Sequence, residues 1–191
     1  MEEQLNLIEK VQNKVLPIDQ LEDITSNGLK PAAVLIPLIL DQGQWKLLFI
    51  HRSNKGVFHK GEVAFPGGAR ESKDGNLADT ALRETFEELG IPNDKVRILG
   101  FIRPFPTVSN YLVTPIIGVI EWPLRLVIEE DEVERVFSIP LDWLKDSTNW
   151  TNRDFVMLNG EMGNTIFYKS YDNEVLWGIT ARMTIELVDG I

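Results

Sequence analysis

The sequence contains no cysteine, which excludes disulfides, thiolate nucleophiles and metal sites built on thiolates. It has only two histidines, His51 and His59, so a zinc site is not indicated. The patterns G-x-S-x-G, G-x-x-x-x-G-K-[ST] and G-x-G-x-x-G are also missing. A serine hydrolase, a kinase and a dehydrogenase are therefore set aside.

Positive charge is scarce in this chain. It has 19 Lys+Arg against 29 Asp+Glu, a net charge of -10 at pH 7. A protein of this charge repels nucleic-acid backbones, so we expect no nucleic-acid partner. Binding of a polyphosphate would need a cation between the protein and the phosphates.

Long hydrophobic runs are missing as well. The longest, residues 32–40, is interrupted by Pro37 and is too short to span a bilayer. The first ten residues, MEEQLNLIEK, lack the basic start and the apolar stretch of a signal peptide. We therefore expect a cytoplasmic protein without a membrane partner.

With 191 residues, 43% of them hydrophobic, the chain suits one globular domain and an appended segment. We interpret residues 1–28 as an N-terminal helical extension and residues 29–191 as the domain. Residues 4–15 have apolar side chains at helical spacing and predict a short amphipathic helix. This helix packs either on the domain or on a second subunit, and the second alternative would make the protein a homodimer.

The remaining pattern is that of an α/β domain. Residues 32–40 and 45–52 predict a β-hairpin, and the glycine-rich residues 53–75 predict a long functional loop. A helix is predicted at residues 76–89, where Gly90 provides the stop. Later strands are predicted at residues 95–102, 111–120, 133–139 and 164–171, and a last helix at 177–188. Such an order predicts helices on both faces of a mixed sheet.

The helix at residues 76–89 ends in an acidic cluster. Glu84, Glu87 and Glu88 fall within a wedge of roughly 100° around the helix axis and can converge on one point. Like charges this close are unfavourable unless cations lie among them, and hard oxygen ligands suit Mg²⁺ or Mn²⁺. The alternative is a solvated acidic face with no ligand.

The preceding loop favours the metal site over the solvated face. Pro66 stiffens the chain before Gly67 and Gly68, where the backbone can approach an ion or a phosphate. We expect Asp74 to cap the helix N-terminus and Arg83 to pair with an acidic side chain one turn later.

The run from Gly68 to Ile91 resembles the Nudix box, G-x5-E-x7-R-E-U-x-E-E-x-G-U, where U is aliphatic. The matching residues are Gly68, Arg83, Glu84, Glu87, Glu88, Gly90 and Ile91. Thr85 replaces an aliphatic residue, and the acid of the loop is Asp74, followed by eight residues rather than seven. An aspartate with one extra residue is similar to the coenzyme A pyrophosphatase branch of this superfamily.

The upstream segment LLFIHRSNKGVFHKGEVAFPGG is also similar to that branch, whose pattern is L-L-T-x-R-S-x3-R-x3-G-x3-F-P-G-G. The matching residues are Leu47, Leu48, Arg52, Ser53, Gly61, Phe65, Pro66, Gly67 and Gly68. The chain has one extra residue between the leucine pair and Arg52, Phe49 replaces the threonine, and Val57 stands where the pattern has a second arginine. Further similar segments extend the resemblance to residues 30–188.

The resemblance implies a Nudix hydrolase domain at residues 29–191 with an α/β/α sandwich and a mixed β-sheet. It implies that Glu84, Glu87 and Glu88 bind Mg²⁺ or Mn²⁺ together with a backbone carbonyl of Gly68 or Gly67. It assigns Arg83 to orienting these carboxylates and Glu84 to general-base catalysis. Glu132, from the acidic run EEDEVE, is the alternative base.

A basic patch of Arg52, Lys55, His59 and Lys60 is the predicted site for substrate phosphates, and its alternative is an ordinary charged loop. The predicted substrate-binding residues are Arg52, His59, Lys60, Gly67 and Arg70.

The implied reaction is metal-dependent hydrolysis of the diphosphate of coenzyme A or acyl-CoA to 3′,5′-ADP and (acyl-)4′-phosphopantetheine. One alternative is hydrolysis of ADP-ribose, a dinucleoside polyphosphate or a nucleoside triphosphate. A more remote alternative is a Nudix-like nucleotide-binding module without catalysis.

Overall fold

The structure, a computed structural model, describes residues 2–21, 28–55, 61–156 and 162–191. Predicted site residues His59 and Lys60, and Val57, lie outside these ranges. Within them, no helix is both long and apolar enough to cross a membrane. The helices are α1 (Glu2–Lys14), α2 (Leu77–Leu89), α3 (Leu141–Lys145) and α4 (Gly178–Val188).

The strands form one large mixed sheet and one separate hairpin. Parallel pairing of β1 with β7 at the centre makes the large sheet mixed, because its other pairings are antiparallel. The large sheet contains β1 (Lys30–Asp41), β2 (Gln44–Arg52), β3 (Val63–Ala64), β4 (Gly67–Ala69), β5 (Val96–Phe101), β6 (Phe105–Pro106), β7 (Tyr111–Ile120) and β8 (Val133–Pro140); the separate hairpin is β9 (Trp150–Val156) and β10 (Met162–Tyr168).

Alternating side chains of the central strands bury two cores on opposite faces of the sheet. On β1, Leu35 belongs to the core that includes α2, whereas Ile36 belongs to the core that includes α1, α3 and α4. Strand β2 alternates in the same way, with Leu48 on the α2 side and Phe49 on the other. Period-two alternation on a sheet covered on both faces produces this layering. The predicted α/β/α sandwich with a mixed sheet is confirmed.

Helix α1 packs on its own chain. Val11 is fully buried in the core that α3 and α4 share, and Val15 is nearly so. The helix begins and ends slightly earlier than the predicted residues 4–15. The homodimer stays a prediction.

The long loop predicted at residues 53–75 is partly wrong, because it contains the short strands β3 and β4. Strand β4 pairs with β1, and Ala33 lies opposite Gly68. These strands have only two and three residues, too few for a periodic pattern that would predict them from the sequence. Strand β9 was also missed, because its sequence WTNRDFV has a polar centre and no alternation.

Helix α2 presents the acidic cluster to one end of the sheet. The side chain of Asn76 caps its N-terminus and accepts hydrogen bonds from Ala78 N and Asp79 N. The prediction that Asp74 is the cap is therefore wrong, because Asn76 occupies the position from which a side-chain oxygen reaches these amides. Gly90 ends the helix in the left-handed conformation, at φ 67°.

Candidate active site

The site is built around a bidentate ion pair between Asp74, in the loop before helix α2, and Arg83 of that helix. Arg83 donates from Nε to Asp74 Oδ1 at 2.9 Å and from Nη2 to Asp74 Oδ2 at 3.0 Å. Thr80 Oγ1 and the amide of Glu71 each donate to Asp74 Oδ2 at 2.9 Å. Asp74 is thus buried yet fully hydrogen-bonded, and its bonds from Arg83 hold the pKa of its carboxyl well below the usual range.

The same guanidinium reaches two of the predicted metal ligands. Arg83 Nη1 donates to Glu84 Oε1 and to Glu87 Oε2, both at 2.8 Å, while Nη2 donates to the carbonyl of Ala69 at 3.0 Å. These acceptors, with Asp74 foremost, raise the pKa of Arg83, which stays charged. The orienting role predicted for Arg83 agrees with this geometry, because one planar group spaces both carboxylates.

Glu88 is the most deeply buried acid of the cluster, with 1% of its surface exposed. Its Oε2 accepts the amide of Gly67 at 3.0 Å, and its Oε1 accepts Arg52 Nη1 at 3.3 Å. Burial raises the pKa of Glu88 to about 8, although Arg52 and the Gly67 amide oppose the rise. The charges of Glu84 and Glu132 raise it further.

Glu84 lies against the glycine turn of the loop. A Cβ atom added to Gly68 would stand 2.6 Å from Glu84 Oε1, so only glycine leaves room for this carboxylate. Burial raises the pKa of Glu84, Arg83 lowers it, and the charges of Glu87 and Glu132 raise it. Glu132 is therefore near enough to act on both Glu84 and Glu88. Its backbone carbonyl accepts the amide of Ser53 at 2.8 Å, which ties the acidic loop to the end of β2.

The donor chemistry of the cluster fits a hard divalent cation. Its available ligands are carboxylate oxygens, which repel one another and which a cation would neutralise. Glu87 is the most accessible, with 48% of its side chain exposed. In the described ranges, no three acidic or histidine side chains are close enough together to hold a metal ion. Glu84 and Glu87 already bond to Arg83, so a cation would compete with Arg83 for both carboxylates.

Three of the five predicted substrate residues lie in the described part of the chain, beside the cluster. The amide of Gly67 and the guanidinium of Arg52 both bond to Glu88. Arg70 donates from Nη2 to the carbonyls of Asp74 and Gly75, each at 3.3 Å, and so braces the loop. The other two predicted residues, His59 and Lys60, are outside the described ranges.

Two contributors to the site were missed in the sequence. Thr80 is fully buried and bonds to Asp74, and no spacing rule separates it from an ordinary helix residue. Lys73 Nζ lies 3.1 Å from Glu71 Oε2 and 3.6 Å from Glu87 Oε1. Its position next to Asp74 in the sequence was the signal that could have indicated Lys73 as a site residue.

Comparisons with known proteins identify the family and agree with the fold. A family profile described as the NUDIX domain matches residues 29–158. A protein of Photorhabdus laumondii named Uncharacterized Nudix hydrolase NudL is 36% identical over 166 residues, 87% of either chain. The protein of the same name from Pectobacterium atrosepticum is 36% identical over 158 residues, covering 83% of this chain and 81% of the relative.

Solved structures have the same fold at lower identity. A Nudix hydrolase from M. Smegmatis, RenU, superposes with a TM-score of 0.52 and 21% identity, covering 63% of this chain and 76% of that one. A C. elegans Ap4A hydrolase in a binary complex gives a TM-score of 0.51 and 17% identity, covering 60% and 82%. At these identities the likeness concerns the fold.

The Asp74–Arg83 pair predicts a pH-dependent loss of stability in Asp74→Asn. Because the pKa of Asp74 is lowered in the folded state, its stabilisation is complete above the ordinary Asp pKa of about 3.9 and is lost as pH falls below it. Urea unfolding should show Asp74→Asn less stable than the wild type by about 2 kcal/mol at neutral pH. The difference should shrink below about pH 4. Asp19→Asn, at an exposed site, is the control, and a pH-independent difference for Asp74→Asn would contradict the ion pair.

Replacement of Gly68 by alanine should impair turnover, whereas replacement of its neighbour Gly67 should impair stability. In Gly68→Ala the new Cβ meets the mobile end of Glu84, so the fold should persist while turnover falls about 10- to 100-fold through displacement of that carboxylate. In Gly67→Ala, at φ +152°, it would lie 2.4 Å from the backbone oxygen of Ala33. This variant should lose about 3 kcal/mol of stability. Thermal unfolding and turnover separate the two, and full turnover in Gly68→Ala would contradict the role of Glu84.

Proposed function

The chain belongs to the Nudix hydrolase family, an enzyme family acting on nucleoside diphosphate derivatives, and on that premise we propose that its substrate is coenzyme A or an acyl-CoA. The proposed products are 3′,5′-ADP and (acyl-)4′-phosphopantetheine. The relatives named NudL are described as uncharacterized, so their names supply no substrate.

The observation that carries this proposal is the way Asp74 reaches Arg83. Aspartate is one methylene shorter than the glutamate of the general Nudix box, and the chain has one additional residue between it and the arginine. Both carboxylate oxygens nevertheless bond to Arg83, at 2.9 and 3.0 Å. The substitution and the insertion thus act together, and this combination resembles the coenzyme A branch.

The carboxylates supply the chemistry that such a cleavage needs. We propose that Glu84, Glu87 and Glu88, with the carbonyl of Gly68, hold Mg²⁺ or Mn²⁺. When bound, the cation neutralises charge on the diphosphate oxygens and makes water a better nucleophile. Arg83 keeps two of the carboxylates spaced on one guanidinium.

The proton acceptor is proposed to be Glu84. Its pKa is raised by burial, and its contact with Arg83 opposes that rise and orients the carboxylate. Glu132 is the alternative, because its charge acts on Glu84 and Glu88 from the neighbouring loop.

Substrate recognition is proposed to involve basic residues that follow β2 in the sequence. His59 and Lys60 would meet the additional phosphate of coenzyme A, and Arg70 and the Gly67 backbone would border the diphosphate. Arg52 is a predicted substrate residue by the resemblance, although its guanidinium already bonds to Glu88. We also propose that the protein acts in the cytoplasm.

A second candidate substrate class is favoured by two residues. Val57 replaces the second arginine of the coenzyme A pattern, and Phe49 replaces its threonine. Both changes are compatible with ADP-ribose, a dinucleoside polyphosphate or a nucleoside triphosphate. The non-catalytic alternative is disfavoured because the chain retains Glu84, Glu87 and Glu88.

Product analysis tests the substrate directly. The protein is incubated with coenzyme A and Mg²⁺, and with ADP-ribose in parallel, and the products are separated by chromatography. We expect metal-dependent release of 3′,5′-ADP and 4′-phosphopantetheine, because hydrolysis at the diphosphate yields this pair. Chelation of the metal is the control.

Faster turnover of ADP-ribose than of coenzyme A at equal concentration would contradict the coenzyme A assignment while leaving the hydrolase intact. Formation of other products from coenzyme A would contradict cleavage at the diphosphate.

A further inference from the structure

Arg52 is the last residue of strand β2, and backbone hydrogen bonds hold it in place. The register between β2 and β8 shifts between His51 and Arg52. The amide of Arg52 donates to Glu62 O at 3.0 Å, and its carbonyl accepts the amide of Gly61 at 3.1 Å. The Arg52 side chain crosses to helix α2 and remains 27% exposed.

Among the described residues, the target of this side chain, Glu88, has few other partners that offset its charge. Glu88 is almost completely buried and accepts one amide bond, from Gly67, besides the contact with Arg52. Glu84 and Glu132 place further negative charge beside it. A buried carboxylate in that position is costly unless a cation and directed hydrogen bonds hold it.

We infer that Arg52 is a positioning residue of the reaction: it holds the Glu88 carboxylate against the Gly67 amide and acts through Glu88 rather than by contact with substrate. The kinetic part of this inference rests on the proposed function. A guanidinium fixed by one charged hydrogen bond limits where Glu88 can place its oxygens. Loss of Arg52 should therefore impair the chemical step more than substrate binding.

A double-mutant cycle tests the physical contact without any substrate or metal. The variants are Arg52→Met, Glu88→Gln and the double variant, with the exposed Arg97→Met as the matched control. At about pH 9, where Glu88 is ionised, Arg52→Met should increase the unfolding equilibrium constant by about 10-fold or more, because it leaves the Glu88 carboxylate buried without the guanidinium. In the Glu88→Gln background it should change that constant by less than about 3-fold, since a neutral amide can still accept the Gly67 N–H. Equal effects in both backgrounds would overturn the inference.

Steady-state kinetics test the consequence for the reaction. Arg52→Met should lower kcat by about 100-fold and change KM by less than about 3-fold. Arg52→Lys should restore part of kcat, because it keeps the charge without the planar guanidinium. This variant replaces Arg52→Met in the kinetic test if Arg52→Met folds poorly. Glu88→Gln and the double variant should have similar kcat values. A large rise in KM at unchanged kcat would instead make Arg52 a substrate contact.

The unfolding cycle and the activity measurements distinguish failure of the positioning role from failure of the proposed function. If neither coenzyme A nor another nucleoside diphosphate derivative is cleaved, the proposed function is wrong, and the unfolding cycle still decides whether Arg52 supports Glu88. If coenzyme A is cleaved and the Arg52 and Glu88 effects multiply, the function stands and the positioning role is wrong.

Discussion

The bidentate ion pair between Arg83 and Asp74 is the constraint on which the candidate site depends. It joins the loop before α2 to the middle of the helix, and the same guanidinium then reaches Glu84, Glu87 and the carbonyl of Ala69. One planar group therefore sets the relative positions of loop, strand β4 and carboxylates. The Arg83 guanidinium stays charged, because the acids around it raise its pKa.

This arrangement explains how the chain tolerates so much negative charge at one end of a helix. Glu84 and Glu87 share Arg83, and Glu88 has Arg52 and the amide of Gly67. Burial is the main cause of the raised pKa values of Glu84 and Glu88, and repulsion among the carboxylates adds to it. A divalent cation would relieve that repulsion, which is why we regard the cluster as a cation site instead of a solvated face.

The sequence was sufficient for features that follow from local periodicity. The hairpin of β1 and β2 and helix α2 are both set within short windows. Asp74 shows the limit of this reasoning: Asn76 is an equally good capping residue two positions later, and only the folded loop shows that Asp74 bonds to Arg83 instead. The contact between Arg52 and Glu88 joins residues 36 positions apart, and no local pattern encodes a contact at that separation.

The most direct test of the account is a Mn²⁺ titration followed by the electron paramagnetic resonance signal of the free ion. Wild-type protein should bind Mn²⁺, and Glu87→Gln, which replaces a half-exposed side chain, should bind it about 10-fold more weakly or worse while remaining folded. Unchanged affinity in Glu87→Gln, with Arg97→Gln as the surface control, would contradict the claim that these carboxylates hold the cation.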